Sequence, residues 1–322
     1  MSKKFSFFFE DEEGKESIKS LSKKLKAEFE EREKEERIKN SPTSKKRNLQ
    51  FWKTGIQKYQ VTLEGEMQVN SMNVKTTVEN KYLFHIKEIF DNAILLDLIS
   101  YDKEMTQTTQ PTFKEMFTVT RQLEKLYDEF TALVSLNGEI KDIRNLKTLQ
   151  EKWLRIKNEM VPYFNEGTNI EEFFGLNDQT MQSQDFWKQL LNEQEFFFLF
   201  FSLPGYGEKP DFSKKIEKDN AYRSGKIQWN IQGQTENRYS EEQDILQKIS
   251  GTFTPGNEWL QKAYGKMPFL TGITFKESFK LKGEYHFDPE TGCIKKAQIY
   301  MEEVAHPAVL YHTMKFTLTQ IA

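Results

Sequence analysis

The strict alternation of apolar and polar residues between positions 275 and 321 constrains the fold more than any other feature of the sequence. Successive side chains of a β-strand point to opposite faces of a sheet, so a period of two predicts strands with one buried and one exposed face. Residues 288–292, Asp-Pro-Glu-Thr-Gly, predict a turn inside this segment. We therefore expect an antiparallel β-meander. The core-facing side of its first strand carries Phe275, Glu277, Phe279, Leu281, Gly283, Tyr285 and Phe287.

Further strands are predicted in both halves of the chain. Their shared signal is again a period of two, except for one segment that is apolar on both faces and predicts a covered central strand. The alternating segments are residues 59–70, 72–87, 226–232 and, less regularly, 245–253, and the covered segment is 93–101. The chain therefore predicts a sheet of many antiparallel strands.

A β-hairpin and two helices are predicted in the middle of the chain. Asn137 and Gly138 favour the two positive φ angles of a type I′ turn, so residues 130–144 predict a hairpin. Residues 146–160 and 184–201 repeat apolar side chains every three or four positions, which predicts amphipathic helices. Strands, then helices, then strands indicate an α+β fold. We expect a curved, half-barrel-like antiparallel sheet packed on these two helices.

Residues 1–50 predict a separate N-terminal region, ahead of an antiparallel α+β domain at 51–322. Charges of both signs are nearly balanced in residues 15–39, which predict a charged helix with a narrow apolar stripe. Residues 40–44, Asn-Ser-Pro-Thr-Ser, predict a linker.

A short aromatic segment precedes the charged helix. Phe5, Phe7, Phe8 and Phe9 form a β-prone segment that is unfavourable alone in water. Either it folds back as an extra strand on the protein's own sheet, or it binds a protein partner by strand addition. These four residues are therefore our candidate partner-binding site.

The Phe-rich run at residues 196–201 allows two interpretations. A helix that is apolar all round must be buried, or must meet a ligand or partner. Core packing is the simpler interpretation. In the alternative, Phe197, Phe198 and Phe201 line an apolar cavity inside the curved sheet.

No recognisable catalytic or cofactor-binding motif occurs in the sequence. Nucleophile elbows and phosphate-binding glycine loops are absent, and Cys293 reads as a small buried side chain. The histidines show no metal-ligand spacing, and we expect them on the solvated surface. They are His85, His286, His306 and His312. We therefore expect no cofactor, no metal and no enzymatic activity.

Composition and charge argue against nucleic acid and membrane insertion. The net charge is −3, and the basic residues Lys45, Lys46 and Arg47 form only one short patch. No apolar run approaches the roughly 20 residues of a membrane helix. Residues 5–9 are too short for the apolar core of a signal peptide, and one cysteine excludes an intramolecular disulfide. We expect a cytoplasmic protein.

The hairpin at residues 131–140 with its following helix, and the turn at 287–294 between long strands, together resemble bacterial β-rich proteins of the lipoprotein-carrier (LolA-like) type. The resemblance spans roughly residues 55–321. It implies a curved antiparallel sheet with helices against its concave face, and it carries over no functional residue. The charged N-terminal helix and the absence of a lipidated cysteine depart from that type.

Two functional hypotheses follow. The first is a non-enzymatic scaffold, adaptor or chaperone-like component of a larger bacterial assembly, which engages a protein partner through its N-terminal segment. The second is a carrier of an apolar small molecule or lipid, held between the curved sheet and the Phe-rich helix. An unrecognised enzyme ranks third.

Overall fold

A curved antiparallel sheet of eleven strands forms the body of the protein. The computed structural model describes residues 48–160, 174–175, 178, 181–236 and 243–322. Predictions for Phe5, Phe7, Phe8, Phe9, the charged helix and the linker lie outside these residues. The strands are β1 (Gly55–Val69), β2 (Met72–Ile89), β3 (Ala93–Thr108), β4 (Glu129–Ser135), β5 (Ile140–Ile143), β6 (Asp211–Asp219), β7 (Lys226–Glu236), β8 (Ile245–Thr252), β9 (Ser278–Phe287), β10 (Ile294–His306) and β11 (Leu310–Ile321).

The strand order is β5-β4-β3-β2-β1-β11-β10-β9-β8-β7-β6. The chain starts in the middle of the sheet, adds strands outward to β5, crosses by helices to the opposite edge at β6, and adds strands inward until β11 pairs with β1. The edge strands β5 and β6 do not pair with each other, so the sheet is not closed. This confirms the predicted half-barrel-like α+β fold.

Helices in the described part of the chain lie mainly in the crossover between the two edges. Their bounds are α1 (Pro111–Glu124), α2 (Leu146–Met160), α3 (Gln184–Asn192), α4 (Glu195–Phe197) and α5 (Asn257–Tyr264). A π-helical turn, Phe198–Ser202, continues α4, and single 3-10 turns occupy Lys125–Tyr127 and Pro268–Leu270.

The predicted helix at residues 184–201 is broken, which corrects the sequence analysis. Helix α3 ends at Asn192, and Gln194 takes an extended conformation before α4 begins. The π-helical turn closes with a hydrogen bond from the Leu203 N–H to the Phe198 carbonyl. The break separates α3 from the segment that we call the Phe-rich turn, which is α4 together with its π-helical continuation (residues 195–202).

The predicted type I′ turn at Asn137 and Gly138 is also wrong, although the hairpin itself forms. Only Gly138 has a positive φ, +91°, and its N–H donates to the Ser135 carbonyl at 2.9 Å. This is a longer loop that ends on one glycine. A Cβ on Gly138 would lie 2.7 Å from the Cβ of Phe201, because the loop packs against the Phe-rich turn.

Three elements were not predicted, and one strand is shorter than expected. The unpredicted elements are β6, α1 and α5. The strand predicted from Phe275 begins at Ser278. Helix α1 buries no side chain completely, so its apolar signal is weak.

An aromatic cluster fills the concave face over β1–β4. The Phe-rich turn supplies the central rings of this cluster: Phe201 is fully buried within 6.1 Å of Phe84, and Phe197 stacks on Phe130 at 5.7 Å. Tyr285 of β9 donates from its hydroxyl to the Leu199 carbonyl at 3.0 Å, which satisfies a buried backbone acceptor in the turn. Core packing therefore accounts for most of the Phe-rich run.

Candidate ligand-binding cavity

A cavity of about 760 Å³ opens on the other part of the concave face. Helix α3, helix α4 and its π-helical turn form one wall, and strands β6, β7, β10 and β11 form the rest. This volume falls in the range of roughly 300–1,000 Å³ that is typical of small-molecule sites. The cavity is therefore the candidate site in the described part of the chain.

The alternation within each strand places an apolar wall on the cavity. In β10 and β11, Met301 and Met314 are cross-strand partners, and both point to the concave face. Trp229 of β7 is fully buried beside this wall. The remaining apolar members of the lining are Phe198, Ile216, Ala221 and Ile227. Met314 is half-buried, and methionine is flexible enough to adapt to an apolar ligand.

Glu303 is a buried acid on the same strand face as Met301. Its carboxylate accepts hydrogen bonds from the Tyr264 hydroxyl at 2.6 Å and from the Ala221 N–H at 2.8 Å. Burial raises the pKa of Glu303, and the two hydrogen bonds offset part of this shift. The carboxyl group thus links α5 and the β6–β7 loop to the sheet.

His312 is the cross-strand partner of Glu303 and also lines the cavity. Its Nδ1 atom is buried and has no hydrogen-bond partner among the described residues. Burial lowers the pKa of His312 to about 4, so the imidazole is neutral at physiological pH. The prediction of a solvated surface histidine at this position is wrong, because strand phase turns the side chain inward.

Lys218 provides a cation on the cavity wall. It lies on β6, and its Nζ sits 4.6 Å from the centre of the Phe198 ring. Burial lowers the pKa of this ammonium, while the acidic residues Glu195, Asp219 and Glu193 act in the opposite direction. The half-buried ammonium gains a cation–π interaction with this ring but keeps unused hydrogen-bond donors.

The structure separates the three predicted cavity-lining phenylalanines. Phe198 lies on the cavity wall, next to Lys218. Phe197 and Phe201 lie in the aromatic cluster and are not part of this lining. The four N-terminal phenylalanines lie outside the described residues.

Sequence reasoning missed Lys218, Glu303 and His312. A signal for two of them was present: Glu303 falls in phase with Ile299 and Met301, which predicts a polar group on a buried face. His312 similarly falls in phase with the buried Leu310. For Lys218 the surrounding sequence is too polar to separate the two faces of β6.

Among the described residues, no group of three or more His, Cys, Asp or Glu side chains is placed to hold a metal ion. Within the same part of the chain, no helix has the length and apolarity needed to cross a membrane. Cys293 is buried, as expected, and burial raises the pKa of its thiol to about 11.

Comparison with known proteins includes two distant structural likenesses. No family model matches the chain, and no curated protein matches it. Among solved structures, a lipovitellin structure on lipid–protein interactions is 10% identical with a TM-score of 0.43, covering 85% of this chain and 26% of that one. The present chain thus spans about a quarter of the lipovitellin chain.

A putative outer membrane lipoprotein-sorting protein domain from Vibrio parahaemolyticus is 7% identical with a TM-score of 0.16, covering 83% of this chain and 84% of that domain. The resemblance to the lipoprotein-carrier type is therefore a weak structural likeness. At these scores neither likeness bears on function, which has to come from the geometry of the cavity.

Proposed function

We propose that this protein is a non-enzymatic carrier that holds an amphipathic small molecule in the cavity of its half-barrel. The cavity of about 760 Å³ is the observation that carries the proposal. Its lining combines an apolar wall with a larger number of polar and charged side chains, which suits a ligand that has both an apolar and a polar part. The ligand's apolar part would contact Trp229, Met301 and Met314.

The inward polar groups favour a ligand with a polar end over a wholly apolar one. Burying a charged or polar group without partners costs free energy, so a hollow lined by apolar side chains alone would be more stable. Lys218 and His312 nonetheless face this space. A ligand that brings its own polar atoms would satisfy them.

A cavity-filling substitution tests the proposal. Met314 is half-buried on the cavity wall, so Met314→Trp places an indole in the space that the ligand would occupy. Tyr300→Trp is the matched control, because Tyr300 lies on β10 beside Met301 but is 39% exposed on the opposite face. We expect Met314→Trp to weaken binding of the neutral probe N-phenyl-1-naphthylamine by about tenfold or more.

Tyr300→Trp should bind the probe as the unmodified protein does. Equal affinity of all three proteins would contradict the proposal, because the probe would then bind elsewhere. Native mass spectrometry of freshly purified protein adds an independent measurement, in which a co-purified small molecule should be lost from Met314→Trp.

The adaptor hypothesis remains a prediction, because it depends on Phe5, Phe7, Phe8 and Phe9. Deletion of residues 1–40 followed by analysis of co-purifying proteins is its test. If the truncated protein co-purifies with the same proteins as the full-length chain, the adaptor hypothesis is contradicted. A cytoplasmic location likewise remains a prediction.

A further inference from the structure

Two lysines of the edge strand β6 point to the concave face, and their surroundings differ. Lys214 donates from Nζ to the Pro204 carbonyl at 2.7 Å. Lys218 lies four residues further along β6, on the same face of the strand, and lines the cavity. Its Nζ has the Phe198 ring at 4.6 Å but no hydrogen-bond or ion-pair partner among the described residues. Lys218 is thus the inward lysine whose donors are unused.

Inward-facing lysines on an edge strand have a known structural role, because they discourage pairing with the edge of another sheet. That role explains why both lysines occur on β6. It does not explain why Lys214 has a backbone acceptor whereas Lys218 faces a cavity beside an apolar wall. The difference between the two lysines points to a ligand.

We infer that Lys218 binds the anionic head group of the carried molecule, and that this head group is a carboxylate with a single negative charge. The inference rests on the proposed function and specifies the ligand class as a long-chain carboxylic acid. The Lys218 ammonium would donate to the carboxylate, and the chain would lie along Trp229 and Met301. No covalent step is involved.

The charges around the cavity favour a single negative charge over a double one. Glu193, Glu195 and Asp219 lie near Lys218 and act on its ionisation. Arg223, an exposed residue at the cavity, adds a second cation near this group. The lining carries three cations and six acids, so a head group with one negative charge meets less like-charge repulsion than a phosphate dianion. The cations are Lys218, Arg223 and Lys226, and the acids are Glu193, Glu195, Glu217, Asp219, Glu302 and Glu303.

Chain-matched ligands and the two lysines form the test. Dodecanoic acid, dodecan-1-ol and dodecyl phosphate are titrated by calorimetry into the delipidated full-length protein, Lys218→Met and the matched control Lys214→Met. The unmodified protein should bind the acid about tenfold or more tightly than the alcohol, because a hydrogen bond to a charged group is lost with the alcohol. Lys218→Met should bind the acid and the alcohol equally, with the affinity that the unmodified protein has for the alcohol. Lys214→Met should still bind the acid more tightly than the alcohol.

Each other outcome overturns a defined part of the account. Equal binding of acid and alcohol by the unmodified protein would refute the role of Lys218 and leave the carrier function standing. A preference that survives in Lys218→Met would refute it as well, and tighter binding of dodecyl phosphate would refute the single charge. Binding of none of the three ligands would contradict the carrier function itself, and the inference with it.

Discussion

Over strands β1–β4 the concave face is filled with aromatic rings, whereas over β6, β7, β10 and β11 the same face leaves a cavity of about 760 Å³. We call these the aromatic half and the hollow half. One π-helical turn contributes to both, since Phe201 packs in the aromatic half and Phe198 faces the hollow half. The difference between the halves therefore depends on the strands and not on the turn.

The strand residues explain why one half is solid. In the aromatic half, Phe84 and Phe130 meet the rings of the turn at centroid distances near 6 Å, and they pack without polar atoms. In the hollow half, the corresponding inward positions carry Lys218, Glu303 and His312. Lys218 and the Nδ1 atom of His312 lack hydrogen-bond partners among the described residues, and unpaired polar groups are unfavourable in a densely packed core. We therefore propose that the hollow half binds the ligand.

The largest expected effect comes from opening a void in the aromatic half. Phe201 is fully buried, so Phe201→Ala should lower the free energy of unfolding by about 3–5 kcal/mol. Urea denaturation measures this change. Phe90→Ala, at a residue that is 47% exposed, is the control and should change stability by less than about 0.5 kcal/mol. If both variants lost a similar free energy of unfolding, the conclusion that the aromatic half is a densely packed core would be contradicted.

The free energy of unfolding should depend on pH through His312, a buried histidine of the hollow half. The folded-state pKa of His312 is about 4, against an ordinary value of 6.5, so the unfolded chain binds more protons between these values. The contribution of His312 is therefore present above pH 6.5 and lost as pH falls toward 4. We expect a loss of about 2–3 kcal/mol across this window.

The comparison of the unmodified protein with His312→Gln isolates this effect. The raised pKa of Glu303 acts in the opposite direction, because protonation of that acid favours the folded state as pH falls. Both proteins retain Glu303, so its contribution largely cancels in the difference. An identical pH dependence of the two proteins would show that His312 is not buried in its neutral form.

A smaller effect is expected where the two halves share the Phe-rich turn. Tyr285→Phe removes the hydroxyl that donates to the Leu199 carbonyl and leaves a buried acceptor without this partner. We expect a loss of about 1–2 kcal/mol in the free energy of unfolding. Tyr101→Phe is the control, since Tyr101 is 48% exposed. If the two variants lose equal stability, the hydrogen bond does not hold the turn.

Strand β6 of the hollow half could not be predicted from the sequence, for a physical reason. A strand with one dry face reveals itself by alternation, and β1, β2, β9, β10 and β11 were found in this way. Strand β6 alternates Ile216 and Lys218 with charged outward residues, so its two faces look alike in the sequence. Inward-facing charged residues at a binding site weaken the alternation of apolar and polar residues by which strands are recognised.

Local sequence patterns also fail to predict the loop geometry at Gly138 and the helix break before α4. Asn137 and Gly138 predict two positive φ angles, but packing of the loop against Phe201 selects a loop with one. The break before α4 depends on how the Phe-rich turn enters the core, and Tyr285 of a distant strand stabilises that arrangement. Tertiary contacts overrode local preference in both cases.

Methionine-methyl NMR tests the central claim most directly. Met301 and Met314 line the hollow half, whereas Met72 and Met116 are 40% and 64% exposed elsewhere. In protein labelled with ¹³C at the methionine methyl groups, saturating dodecanoic acid should shift the Met301 and Met314 signals and leave those of Met72 and Met116 in place. Unchanged Met301 and Met314 signals, or larger shifts at Met116, would contradict a ligand-binding cavity in the hollow half.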